Sequence, residues 1–149
     1  MNDPAAPSPA WKTRVPVFAA ALWWGSLSAT GFLAVPMLFA SLPTPALAGS
    51  VAARLFSAQG WVAVGCGALL LFVSRAEDGR SGPGSRGGAV LFVLAGLLLA
   101  LLSEFGVAPR IVARENLRLW HGLGTAAYVV QWLCAGVVLW KVAAPPEHD

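Results

Sequence analysis

Charge is scarce in this chain. Only 11% of its 149 residues are Asp, Glu, Lys or Arg, too few to hydrate the outside of a soluble globule of this size. The formal net charge of +3 is scattered over the ends of apolar runs and forms no patch for a nucleic acid. Cysteine is nearly absent. Cys66 and Cys134 stand apart among Gly, Ala, Leu and Val, with no Cys-x-x-Cys and no Cys/His cluster. That pattern argues against a zinc site or a redox dithiol and reads both thiols as small packing residues. His121 is the only histidine outside the tail, so a haem held by two histidines on facing helices finds no pair of ligands. No glycine loop runs into Lys-Ser/Thr to cradle phosphate. Ser103 and His121 are nucleophile and base by type, yet no motif supplies an oxyanion hole. Neither a metal nor a cofactor is expected.

What the chain does have is hydrocarbon. It is 57% apolar with seven Trp, and its mean hydropathy is +0.68. Four apolar runs, at about 15–42, 45–73, 89–108 and 119–142, are each long enough to cross the roughly 30 Å core of a bilayer. The expected fold is therefore all-α: a polytopic membrane protein built as an antiparallel four-helix transmembrane bundle. A disordered tail, 1–14, precedes it and a polar tail, 143–149, follows. Ala46-Leu47-Ala48 resembles a signal-peptide cleavage site, but the first run far exceeds the 7–15 residues of a signal h-region; it reads as a span.

Punctuation marks the ends. Pro36 removes a backbone donor and should kink or finish the first helix. Thr44-Pro45 reads as an N-cap followed by proline at the first helical position of the second. Residues 74–88, rich in Gly, Ser and charge, read as a flexible loop. Pro109 ends or kinks the third run, and Arg110, Arg114 and Arg118, spaced by four, predict a short amphipathic segment at the interface. Trp120 and Trp140 are 20 residues apart, about 30 Å of helix, and read as two ends of an aromatic belt. Small residues recur on single faces: Ala21, Gly25, Ser28 and Ala29 in the first run, Ala53, Ser57, Gly60 and Gly67 in the second, Gly96 and Ala100 in the third. Such faces let helices approach closely in lipid, within one chain or between copies in a homo-oligomer.

The termini and second loop carry six Lys or Arg against four in the first and third loops, which favours cytoplasmic termini in the cell membrane. Antiparallel folding also gathers Met37, Arg54, Gln59, Glu104, Arg110 and His121 at one membrane end. Glu104 reads either as an interfacial carboxylate paired with Arg110 or Arg54, or as a proton- or cation-binding group. His121 is an interfacial anchor or the partner of Glu104 in a proton relay. The arginine stripe of Arg110, Arg114 and Arg118 contacts lipid phosphate or forms a basic mouth for an anion. His121, Gly124, Tyr128 and Gln131 share one face of the fourth helix, which should look into the bundle.

The stretches LWWGSLSATGFLAVPMLFASLPTPALAG, ARLFSAQGW, EFGVAPR and LWHGLGTAAYVVQWLCAGVV resemble the small four-span proteins with a transmembrane protein 205-like domain, from about Leu22 to Val138. The resemblance implies a four-helix integral membrane protein of uncharacterised function, with no catalytic residues to carry over. The expected function is a non-enzymatic bundle, accessory or oligomer-forming, with membrane lipid as its surroundings. The alternatives are a small proton-coupled transporter or permeation unit using Glu104 and His121, and, more remotely, a membrane metal or redox protein.

Overall fold

The structure, a computed structural model, describes residues 10–78 and 87–144. Every element among them is helical: α1 Ala10–Ser28, a π-helix Ala29–Ala34, α2 Val35–Ser41, α3 Pro45–Asp78, α4 Gly87–Leu101, a second π-helix Leu102–Val107, α5 Ala108–Val112 and α6 Leu117–Ala143. Joined end to end they make four spans, Arg14–Ser41, Pro45–Ala76, Gly88–Val112 and Leu117–Ala143, each long and apolar enough to cross a membrane. α1 packs on α3 and α6, and α4 packs on the same two helices. The spans thus close into a ring in chain order, the antiparallel four-helix transmembrane bundle expected.

The two π-helices have one cause. Each is capped by the residue before a proline: Val35 N–H donates to the Thr30 carbonyl and Ala108 N–H to the Ser103 carbonyl, five residues back in both cases. Proline has no N–H and its ring collides with the carbonyl four residues earlier. Widening the preceding turn to five-residue bonds re-aims those carbonyls and lets the helix continue. Pro36 and Pro109 therefore do not end their helices. The first span runs to Ser41 and the third to Val112, which places Glu104 deeper in its span than a helix ending near Pro109 would.

Other ends also differ from expectation. The first helix starts at Ala10, so residues 10–14 are helical rather than a disordered tail; Ala10 to Arg14 holds no breaker, and Pro16 lies inside the helix. Residues 1–9 and 145–149 lie outside the described residues. α3 continues past Val73 to Asp78 with Arg75 in its last turn, where a cation suits the helix dipole; residues 79–86 of the expected loop are outside the described set. Thr44 caps α3 as expected, its Oγ1 accepting from Leu47 N–H at 3.3 Å.

The amphipathic arginine segment does not form. Arg114 N–H donates to the Ile111 carbonyl and Glu115 N–H to Arg110, with Arg114 at φ 57° and Asn116 at φ 32°. This is a Schellman stop, with arginine in the left-handed position usually given to glycine. It splits the stripe: Arg110 closes the third span, Arg114 sits in the turn and Arg118 opens the fourth.

The core is filled by a few large groups against many small ones. Trp23, Leu27 and Val138 are fully buried among Ala19, Ala20, Ala63, Cys66, Leu70, Val93, Ala100 and Ala135. Gly96 admits the Trp23 ring, since a Cβ there would lie 2.6 Å from it. Gly67 does the same for Leu97 and Gly31 for Tyr128. In the first span the buried stripe is thus Trp23 and Leu27. The expected small-residue stripe is split: Ala21 and Ala29 are exposed, while Gly25 and Ser28 are half-buried and Ser28 meets Trp132 of the fourth span. The bulky stripe won because Gly96 opposite Trp23 left room for its ring, in a core otherwise built largely of small residues such as Ala63.

Candidate functional site

The polar residues expected at one membrane end come together only in part. Glu104 sits in the π-helix of the third span, half-buried, and faces α3. Its Oε1 accepts a hydrogen bond from Ser57 Oγ at 2.6 Å, the short distance of a hydroxyl on a carboxylate. Its Oε2 lies 3.8 Å from where a Cβ on Gly60 would stand. Beside it is a space of about 10 Å³ lined by Gly60, Trp61, Val64, Ala100, Leu101 and Phe105, room for no more than one water. Trp61, Leu101 and Phe105 are exposed, so this notch opens between the second and third spans toward lipid.

The expected pairing of Glu104 with Arg110 or Arg54 is replaced by this hydroxyl contact. Arg110 is engaged elsewhere: its guanidinium donates to the Gly106 carbonyl at 2.6 Å and lies 4.5 Å over the Trp120 ring, a cation–π contact. Arg54 is exposed and makes no side-chain hydrogen bond among the described residues. His121 is also exposed. The fourth helix turns Gln131 into the bundle and half-buries Tyr128, but His121 lies at the level of Arg110, where the helices end and nothing covers it. The register shown by Val107 against Gly124 places Glu104 about two turns deeper than His121. The proton relay between the two is not assembled.

A second polar group lies on the other side of α3. Gln59 is buried; its Nε2 donates to Ser26 Oγ at 3.1 Å, and Thr30 Oγ1 approaches Gln59 Oε1 at 3.5 Å. Tyr128 OH donates to the Leu27 carbonyl at 2.7 Å, two residues before the first π-helix, with Phe56 edge-on to its ring at 5.2 Å. Trp132 Nε1 donates to Ser28 Oγ at 2.8 Å and stacks on Trp24 at 5.8 Å. These bonds tie the first span to its two neighbours around its widened turn. In lipid, such bonds and close packing hold helices together, because burial against lipid tails yields no hydrophobic gain. Two buried donors, Trp23 Nε1 and Gln131 Nε2, have no partner among the described residues.

Ser26, Ser57, Thr30 and Trp132 are the residues that sequence reasoning missed. Ser57 was visible only as a small residue on the face of Gly60, and the signal for its role was that it shares that face opposite the one embedded acid. Among the described residues no three His, Cys, Asp or Glu side chains are grouped to hold a metal ion. Cys66 and Cys134 are both buried and unpaired.

With the geometry in place, comparison with known proteins supplies the family. The model of DUF4149, a domain of unknown function, matches residues 18–119. The chain belongs to the DUF4149 family. No curated protein and no solved structure matches it. The DUF4149 match takes in Ser57, Gln59, Gly60, Glu104 and Arg110, and stops at the opening turns of α6. The partners that α6 contributes to the first span, Tyr128 and Trp132, lie beyond it. The protein is thus a member of an uncharacterised family and, by its four apolar spans, a multi-pass membrane protein.

Proposed function

We propose that this protein is a non-enzymatic bundle of the cell membrane that acts through contacts between its helix faces and other membrane proteins or further copies of itself. The observation that carries this reading is the packing of Trp23. Trp23, fully buried, presses on Gly96 with Cys134 beside it, so an indole fills the space between the first and third spans at this level. Close packing at this level is what a scaffold needs and what a conduit lacks. The resemblance to transmembrane protein 205-like domains fits the same reading. The charge bias between loops supports cytoplasmic termini.

A small proton-coupled transporter is the second reading, favoured by one observation: Glu104 is embedded and bonded to Ser57 at 2.6 Å, an arrangement that could exchange a proton with the notch beside it. The test is proton flux into sealed vesicles containing the purified protein and an interior pH dye. The contact reading expects the wild type to match empty vesicles. Flux in the wild type that Glu104→Gln abolishes at unchanged folded yield would overturn it.

A further inference from the structure

Glu104 is a carboxyl group within a span, with no cation bonded to it among the described residues. Arg110, six positions on, stacks on Trp120 at the level of the aromatic belt, so Glu104 lies about 9 Å beneath it. An ionised group at that depth is costly unless a counter-charge meets it. Ser57 satisfies Oε1 with a hydrogen bond but supplies no charge. Oε2 faces the notch over Gly60, so a counter-charge from outside the chain would meet it from the lipid side.

The four arginines at this end of the bundle can be taken in turn. Arg110 is held by Gly106 and Trp120. Arg114 and Arg118 lie in and beyond the turn after the third span. Arg54 remains. It is exposed and shares one face of α3 with Ser57 and Trp61, at i, i+3 and i+7. That face also carries Gly60 and adjoins Leu101, Glu104 and Phe105 across the notch. An acid and a base on one surface, each without a charged partner among the described residues, make that surface complementary to itself.

We infer that the face formed by Arg54, Ser57, Gly60 and Trp61 with Leu101, Glu104 and Phe105 is a two-fold interface between copies of this chain, in which Arg54 of each copy pairs with Glu104 of the other. A two-fold axis along the membrane normal preserves depth, so only groups at similar depth can meet. Arg54 lies about four residues, ~6 Å, nearer the aqueous side than the level of Glu104, a distance its extended side chain spans. Because the interface is isologous, the contact occurs twice. Ser57 and Gly60 keep the surface low enough for the helices to approach closely. The inference rests on the proposed contact function and names its partner as a second copy.

The test uses full-length chains labelled with donor or acceptor dyes at the amino terminus and reconstituted at low density in vesicles. Wild-type copies should show energy transfer that falls on dilution with lipid, as a reversible dimer does. Glu104→Arg alone or Arg54→Glu alone should weaken association by about tenfold or more, because like charges then face each other in the membrane. Mixed one to one, the two variants should associate as the wild type does, since the two acids of one copy then face the two arginines of the other. Wild-type copies that stay monomeric would overturn the inference. So would single variants that associate normally, or a mixture that does not recover while each variant keeps its helical circular dichroism. If a charge reversal lowers folded yield, the neutral changes Glu104→Gln and Arg54→Gln decide: unchanged association overturns the pairing. An interior pH dye in the same vesicles separates the two claims, since proton flux refutes the contact function whereas monomers without flux refute only the interface.

Discussion

Replacing Gly96 with alanine tests the packing at the bundle axis. A Cβ at that position would sit 2.6 and 2.7 Å from two atoms of the Trp23 ring and 3.7 Å from Cys134 Cβ. Ordinary contact begins about 1 Å farther out, near 3.5 Å. The ring cannot swing away, because Trp23 is fully buried and rigid, so α1 and α4 must separate. Overpacking of this kind costs about 1–3 kcal/mol and occasionally more, and the better helix propensity of alanine returns up to ~1. The net expectation is a loss of about 1–2 kcal/mol, or a fall in Tm of roughly 2–8 °C for a chain of this length. The buried thiols Cys66 and Cys134 report the transition through a thiol-reactive dye added during heating. Gly25, with nothing within 4 Å of its virtual Cβ, is the control: Gly25→Ala should leave Tm unchanged or raise it. Trp23→Phe combined with Gly96→Ala should recover part of the loss, a coupling that separate effects would not show. A Gly96→Ala protein as stable as the wild type would refute the placement of Trp23 against the third span.

Three further outcomes can be read in the same heating assay. Arg114→Gly relieves a left-handed residue at φ 57° and should stabilise by about 1 kcal/mol; a loss would mean that the arginine side chain contributes more than its backbone strain costs. Gln131→Met removes a buried amide donor without a partner among the described residues and should stabilise by about 1 kcal/mol or more; destabilisation would show that the amide is satisfied. Tyr128→Phe deletes the bond to the Leu27 carbonyl while keeping the ring on Gly31, and should cost about 0.6–1.7 kcal/mol. A larger loss would mean that this bond also holds the π-helix open.

The four spans were legible because uninterrupted apolar runs of this length have few other homes, and Thr44-Pro45 marked the start of α3 by its own capping chemistry. The face of Gly96, Ala100 and Glu104 also followed from spacing alone. Pro36 and Pro109 left two outcomes open, an end or a distortion, and the second holds: proline forbids one hydrogen bond, and a π turn just before it removes the conflict without ending the helix. The arginine stripe was broken by a single left-handed residue, Arg114, which no glycine announced. Inside and outside were hardest to tell apart. In lipid both faces of a helix are apolar, so Ala21, Gly25 and Ala29 suggested a packing face by size, whereas Trp23 and Leu27 are the residues buried, Trp23 in the space that Gly96 leaves open. The partner of Glu104 was hidden for a related reason: serine reads as a small residue until the acid across from it is placed.

The central claim is that the bundle is closed at its middle, and its two native cysteines test it without any substitution. Cys66 and Cys134 are buried and belong to the same level of the bundle as Trp23 and Gly96. In sealed vesicles, a charged, membrane-impermeant maleimide applied from either side should label neither thiol over a time that fully labels the denatured protein. Rapid labelling of either cysteine in the folded protein would mean that water reaches the centre of the bundle, and would contradict the account.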